Sequence, residues 1–446
     1  MIDVLKMIDV LKILISDFHA AQAPAGLLRR DLEVPLDAPK VVSIIGPRRA
    51  GKTWFLFSLI EQLQQTIDRR RIVYVNFEDE RLLLDASGLG AILDAYQQLY
   101  PDQPLDQVYF FFDEIQDVSG WEKFVRRLVD TVSRHVFITG SSARLLSREI
   151  ATALRGRTLA YTLFPFSFRE YVRAQGGEGV AGQLTSAARN RLVAGFDRFL
   201  EVGGYPEILS FDEATRIKTL QSYFEVMLYR DIIERFGVRR PHLVKDFARR
   251  LVASNAQVFS VHKYYLDLKS RGVRVTKDTL YGLVEHFVDA CFAVSVSKYD
   301  PSEAKQAQGL KKYYINDTGL VNACEFVPAE KAGAMLETFV LLELYKRGCH
   351  VCYYSESNEC DFVVLDRGQG VAAIQVCLRL TEDNRRREVA GVTQAMVRFG
   401  LRQGVVVTLG QEETVQADAG TIRVFPAWKW ALETDITLMD VGANDS

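Results

Sequence analysis

The sequence predicts an α/β protein of several domains, built around a P-loop parallel-sheet core, and three observations carry that reading. Val41 to Ile45 is a short apolar run of the kind buried on both faces of a parallel sheet, and it leads directly into a glycine-containing loop and an apolar helical segment. Val108 to Phe112 is a second such run, closed by the acidic pair Asp113 and Glu114. At 446 residues the chain is also too long for one hydrophobic core, which suggests about three domains.

The first run ends in Gly46, Pro47, Arg48, Arg49, Ala50, Gly51, Lys52 and Thr53, which fit G-x-x-x-x-G-K-[ST], with Trp54 opening the helix behind. The spacing has a physical reason. Glycines let successive backbone N–H groups turn inward around phosphates, and the helix presents its positive N-terminal end. Lys52 is expected between the β- and γ-phosphates and Thr53 on a magnesium ion, so the pattern assigns ATP and Mg2+ as the ligands of residues 46–54.

Ile72 to Phe77 reads as another buried strand, and a helical region is expected from Leu82 to Tyr100. After Val108 to Phe112, Asp113 stands at the strand's C-terminal end, where parallel sheets bind ligands. It is expected to hold magnesium through water, and Glu114 to polarise the attacking water. His135 to Thr139 is a fourth strand, followed by Gly140, Ser141 and Ser142; either serine is a candidate contact to the γ-phosphate, against the plain alternative of a turn. Arg144, Arg148, Arg155 and Arg157 follow. Arg155 and Arg157 are candidate fingers that would enter a neighbouring subunit's nucleotide site, the alternative being a solvated face.

The series GPRRAGKT, VYVNFED, FFFDEIQD, FITGSSARLL, LRGRT and LFPFSFREY resembles the prokaryotic AAA+-type ATPases that carry a C-terminal region of unassigned function. The likeness continues through Gly203 to Pro206, Tyr229 to Asp231, Tyr314 to Gly319 and Leu336-Glu337, and so covers nearly the whole chain. It implies ATP binding and a core related to archaeal ATPases and signalling switches; with it the expectation is ATP hydrolysis by a homo-oligomer whose subunits share sites through Arg155 or Arg157.

Downstream, residues 166–235 alternate apolar and charged positions at helical spacing and are expected to form a helical lid over the nucleotide. Residues 236–325 read as three helices and a hairpin, the order of a winged helix, which the resemblance supports. Lys263, Lys269, Arg271, Arg274, Lys277, Lys305, Lys311 and Lys312 could meet the phosphates of DNA there, while Asp278 and Glu285 dilute that charge. From residue 330 to 446 the order helix, three strands, helix, strand resembles the restriction-endonuclease-like fold. An active nuclease of that type needs a carboxylate on the first helix, an Asp at a strand start and an acid-x-Lys on the next strand. Glu337, Glu359 and Asp361 fit the first two places, but Gln375-Val-Cys377 occupies the third and lacks the lysine. A degenerate domain follows, without nuclease activity and retained for DNA or a partner, with Arg385 to Arg387 as a candidate phosphate patch.

Composition narrows the partners. A net charge of −2 gives no global basic field, so any nucleic-acid site must be local. No apolar run reaches the roughly 20 residues of a membrane-spanning helix, and the start lacks a signal peptide's pattern, which points to a cytoplasmic protein without membrane contact. Six cysteines are too few for a disulfide framework, and Cys349-x-x-Cys352 falls on a strand that would turn its thiols to opposite faces, against zinc. The expected domains are an N-terminal amphipathic helix (1–30), the ATPase core (31–165), the lid (166–235), the winged helix (236–325) and the nuclease-like domain (330–446). The expected function is a DNA-associated, oligomeric motor or remodeller, the alternative a slow nucleotide-dependent switch that signals to a protein partner.

Overall fold

The computed structural model describes residues 4–22, 24–82, 88–141, 154, 156–177, 185–324 and 332–433. It divides into two compact units, Met1–Phe164 with Asp289–Cys291, and Pro165–Val288 with Phe292–Ser446. Ser142, Arg144, Arg148 and Arg155 lie outside the described residues. Among the described residues, no helix is long and apolar enough to cross a membrane.

The first unit starts with α1 (Val4–Ala20), β1 (Val41–Ile45), α2 (Lys52–Leu63), β2 (Ile72–Asn76) and α3 (Ala91–Leu99). It continues with β3 (Tyr109–Asp113), α4 (Trp121–Thr131), β4 (Val136–Gly140) and β5 (Thr158–Thr162). The five strands are all parallel, in the order β2-β3-β4-β1-β5. β1, β3 and β4 are buried along their whole length, because helices cover both faces of the sheet. Val41, Ile45, Phe110, Phe112 and Ile138 pack on one face with Leu11, Ile92, Tyr96 and Phe124. Their strand neighbours Val42, Ile44, Phe111 and Phe137 pack on the other with Phe55, Leu56, Leu59 and Ile60, the two-residue period of a strand serving two cores.

The N-terminal helix is therefore no separate domain. Met7, Ile8, Leu11 and Ile15 of α1 are buried in the sheet's first core. His19 fixes its end, with Nδ1 2.7 Å from the Tyr100 hydroxyl and Nε2 2.8 Å from the Ile72 carbonyl. The helix expected over Leu82 to Tyr100 is described only as α3, which follows a short 3-10 turn at Gly88–Gly90.

The second unit opens with α5 (Phe168–Ala174), α6 (Ser186–Val202) and α7 (Glu213–Val226), the last running into a π-helical turn over Met227–Glu234. Ser167 and Glu170 form a reciprocal cap on α5, each side chain accepting the other residue's N–H. Next are α8 (Pro241–Ala253), β6 (Gln257–Phe259), α9 (Val261–Ser270), α10 (Lys277–Asp289), β7 (Ala293–Ser297), α11 (Glu303–Gln308), β8 (Lys311–Ile315) and α12 (Thr318–Ala323). The three strands pair antiparallel in the order β6-β8-β7, and the connection between β7 and β8 contains α11.

The chain then forms α13 (Ala332–Lys346), β9 (His350–Ser355), β10 (Glu359–Asp366), β11 (Gln369–Val376), α14 (Glu382–Phe399) and β12 (Gln403–Thr408). β13 (Glu413–Ala417), β14 (Gly420–Pro426) and α15 (Ala427–Leu432) complete a six-stranded sheet, β13-β14-β12-β11-β10-β9. β9, β10 and β11 are antiparallel, whereas β12 is parallel to both β11 and β14.

Within the stretch read as a lid, α5 and α6 spend their apolar faces on this last sheet's helices. Phe168, Phe196 and Phe199 share a core with Phe339 and Trp430, and the Phe168 N–H donates to Glu343 of α13 at 3.0 Å. Two of the sequence motifs form one joint in the same unit. The buried Asp317 carboxylate accepts the N–H of Gly204 at 2.7 Å and that of Leu320 at 3.0 Å. Gly203, at φ 81°, approaches so closely that a Cβ there would stand 2.0 Å from Asp317 Oδ1. Gly-Gly and Asn-Asp-Thr-Gly, two of the stretches that carry the resemblance, thus meet in one packed joint.

Candidate phosphate-loop site

β1 and β4 end side by side, with Ile45 opposite Gly140, so Gly46 and the buried Ser141 are the next residues past two adjacent strand ends. β3 lies beyond β4 and ends at Asp113. The parallel topology therefore brings the loop, the acidic pair and Ser141 to one edge of the sheet.

The loop is shaped from behind. Leu163 donates its N–H to the Ile45 carbonyl at 2.7 Å, and a Cβ on Gly46 would stand 2.0 Å from the Leu163 oxygen. Only glycine fits that approach. Arg30, buried, donates from Nη1 to the Ala50 carbonyl at 3.1 Å and from Nη2 to the Phe164 carbonyl at 2.7 Å, tying the loop's midpoint to the segment after β5. Arg49 and Gly51 both adopt left-handed backbone, and Gly51 then caps α2, whose first N–H groups face the loop without intrahelical partners. Arg48 pairs with Glu78 at 3.2 Å, Pro47 and Ala50 are buried, and Trp54 stands half-exposed on α2.

Lys52 is buried, with Nζ 3.4 Å from the carbonyls of Gly46 and Pro47 and 3.2 Å from Glu114 Oε1. Thr53 donates its hydroxyl to Asp113 Oδ2 at 2.7 Å, and Tyr74 donates to the same oxygen at 3.0 Å. Thr139 donates to Asp113 Oδ1 and accepts the N–H of Glu114 at 2.9 Å. Gln116 donates its amide to Glu114 Oε2 at 2.6 Å. Glu114 itself sits in left-handed backbone at φ 51°, a conformation that costs a non-glycine residue energy and turns its side chain back toward the loop.

The two carboxylates are set to different protonation behaviour. Burial pushes the Asp113 carboxyl up, more than the hydroxyls of Thr139, Thr53 and Tyr74 bring it down. Burial also works against ionisation of Glu114, but Lys52 and the Gln116 amide outweigh it and hold that carboxyl below its usual range. The burial and negative charge around Asp113 raise the Tyr74 phenol.

The donor set fits a nucleotide and its metal. Thr53 and Asp113 present hard oxygens 2.7 Å apart, suited to magnesium, and the start of α2 offers N–H groups to phosphate. The predicted residues of the loop, Asp113, Glu114 and Ser141 are gathered in one unit. Arg157, also in that unit, is half-exposed and paired with Asp130 at 2.5 Å, which sequence could not show. Thr139, Tyr74, Gln116 and Arg30 were missed. Thr139 had a signal: it is the last polar residue inside the strand beside the acidic one, whereas Gly-Ser-Ser drew attention past it. Arg30 had none.

A family model described as "AAA domain" matches residues 38–172, and models described as "Domain of unknown function (DUF8612)" and "Domain of unknown function (DUF4143)" match 193–331 and 332–430. "Uncharacterized protein MJ1544" of Methanocaldococcus jannaschii is 33% identical over 421 residues, 92% of this chain and 92% of that one. A protein of Haemophilus influenzae is 29% identical over 351 residues, 78% of this chain and 84% of its own. The crystal structure of Cdc6p from Pyrobaculum aerophilum aligns over 76% of this chain and 94% of that one, at 13% identity and a TM-score of 0.24, a similarity too loose to bear weight.

Proposed function

Because this chain belongs to the same family as the M. jannaschii protein MJ1544 and carries an AAA domain, we propose that its first unit binds Mg-ATP and hydrolyses it. The observation that carries the proposal is the convergence of Lys52, Thr53, Asp113 and Glu114, with the Thr53 hydroxyl 2.7 Å from Asp113 Oδ2 and the Lys52 ammonium 3.2 Å from Glu114 Oε1. Bound Mg-ATP supplies the phosphoryl group. Lys52 holds the β- and γ-phosphate oxygens, the N–H groups of residues 48–54 cradle them, and Thr53 and Asp113 hold the metal. Glu114 takes the proton of the attacking water. A phosphate oxygen competes with Glu114 for Lys52, so nucleotide binding releases the carboxylate for that task. Ser141, beside the loop, contacts the γ-phosphate or positions the water.

The subunits share sites in this proposal. Arg157, or Arg155, reaches a neighbour's nucleotide in a homo-oligomer, and Arg157 must first leave Asp130. The work of the cycle is done on DNA, through the exposed Lys263, Lys269, Arg274, Lys277 and Lys305 of residues 236–325 and the exposed Arg386 and Arg387 on α14. A second reading, the slow switch, is favoured by the Lys52–Glu114 pair, which with Gln116 holds the general base away from water.

Steady-state phosphate release, measured with and without single- and double-stranded DNA, tests these readings together. Lys52→Ala should abolish ATP binding in calorimetry, and Glu114→Gln should bind ATP but lose on the order of 10²–10⁴ in turnover. Stimulation by DNA favours the motor; tight retention of nucleotide without stimulation favours the switch. Unchanged ATP affinity in Lys52→Ala removes the assignment altogether.

A further inference from the structure

The phosphate loop carries two arginines, Arg48 and Arg49, that the spacing of its motif does not require. Arg49 is exposed, in left-handed backbone. Arg48 reaches along the sheet edge instead: its Nη1 lies 3.2 Å from Oε1 of Glu78, a residue just past the end of β2. Glu78 is fixed there, its N–H donating to Asn76 Oδ1 at 2.9 Å. The sheet order puts β4 and β3 between β1 and β2. A side chain that starts on the loop after β1 and ends at Glu78 therefore passes over the ends of both, where Ser141 and Glu114 stand.

The charges agree with that path. Burial works against ionisation of Glu114, Lys52 and the Gln116 amide overcome it, and Arg48 adds to them. Asp117 feels the same guanidinium: burial, Glu114 and Glu78 push its carboxyl up, and Arg48 opposes them. The pair with Glu78 is partly exposed, at 23% and 44% of the two side chains. Ion pairs in such surroundings contribute little, so exchanging this carboxylate for another anion costs little. A guanidinium presents its five N–H donors as a fixed fork, which matches two oxygens of one phosphate.

We propose that Arg48 is a catalytic residue for the nucleotide of its own subunit, exchanging Glu78 for a γ-phosphate oxygen and neutralising the charge that builds there during hydrolysis. The inference rests on the Mg-ATP reading of the site. It adds a cation from within the loop to the one that Arg157 or Arg155 brings from a neighbour in that reading. In the step concerned, the water oxygen bonds to the γ-phosphorus as the bond from that phosphorus to the β–γ bridging oxygen breaks. Glu114 takes the water's proton, and ADP leaves with the electron pair of the broken bond. Arg48 has a partner to give up and a new one to gain, so its contribution belongs to the transition state more than to binding.

The test compares two ligands on the full chain with Mg2+ by calorimetry: β,γ-imido-ATP, which mimics the bound substrate, and ADP with aluminium fluoride, which mimics the phosphoryl group in transfer. Arg48→Ala should keep its affinity for the first within about threefold and lose on the order of 10²–10³ for the second, with turnover falling by the same factor. Its melting temperature should stay close to that of the wild type. Mixing Arg48→Ala with Lys52→Ala should restore no turnover, because each Arg48 serves its own site. Glu78→Gln, which releases Arg48, should hold or raise turnover and aluminium-fluoride affinity. Unchanged aluminium-fluoride affinity in Arg48→Ala overturns the proposal, as does rescue in the mixture. A loss in Glu78→Gln equal to that in Arg48→Ala also overturns it, since the pair would then only clamp the loop to β2. If Arg48→Ala does not fold, Arg48→Lys, which keeps the charge without the fork, is read in the same way. A wild type that binds neither ligand removes the Mg-ATP reading itself; a wild type that binds both no better than Arg48→Ala does removes only the role of Arg48.

Discussion

Lys52 and Lys312 are both buried ammonium groups beside carboxylates, yet their surroundings differ in kind. Lys52 has one carboxylate at 3.2 Å and two backbone carbonyls at the long distance of 3.4 Å, at the start of the helix that follows the glycine-containing loop. Lys312 has three carboxylates and sits on a strand in the middle of a sheet. A cation with weak, replaceable partners is suited to exchange them for phosphate; a cation saturated by fixed acids is suited to stay. Burial and charge alone do not distinguish a binding lysine from a structural one. The number and mobility of its acceptors do.

The comparison can be broken by stability measurements. Lys312→Met, which leaves three carboxylates facing one another, should cost about 3–5 kcal/mol. Lys52→Met leaves only Glu114, still served by the Gln116 amide, and should cost about 1–3 kcal/mol. Denaturant midpoints of the two full-length variants decide it: a larger loss at Lys52 would mean that both lysines are structural.

Asp317 sharpens the contrast, since its close partners are backbone N–H groups rather than an ammonium. Burial pushes its carboxyl up to about 6 in spite of those donors. The folded state thus keeps a proton that the unfolded state has lost between about pH 4 and pH 6, so this group's contribution is full below that window and declines as pH rises through it. The stability difference between wild type and Asp317→Asn should change by roughly 2–3 kcal/mol across that window. A difference independent of pH would show that the carboxyl does not titrate there.

The smallest effect is expected at Thr139→Val. It removes a donor from Asp113 and the acceptor of the Glu114 N–H, at a cost of about 1–2 kcal/mol, and it should lower phosphate release more than ATP affinity. Equal losses in both would make Thr139 a fold residue only.

What could be read from the sequence was local. β1, the loop and α2 are contiguous, and β3 announces itself by five apolar residues ending in Asp113, so one period and one motif suffice. The order of helices and strands from Ala332 to Thr408 was legible for the same reason. Arg30, Thr139 and Lys312 act across distances in sequence that periodicity cannot bridge: Arg30 reaches Phe164, and Lys312 reaches Asp361. The sequence has Cys377 where the resembled fold carries a lysine, and nothing in its periodicity announces that Lys312 of β8 stands 3.4 Å from Asp361.

The sharing of a core between α5, α6 and α15 bears on how the chain is made. The first unit's sheet is complete in sequence by Thr162, so its strands can pair while the rest of the chain is still being synthesised. Phe168 and Phe196, by contrast, share a core with Phe339 and Trp430, and the second of these follows Phe196 by more than 230 residues. At ribosomal speeds of roughly 5–20 residues per second, that interval lasts on the order of ten to fifty seconds, and the core of α5 and α6 is complete only at its end. Premature termination anywhere in that interval leaves α5 and α6 without the α15 side of their core.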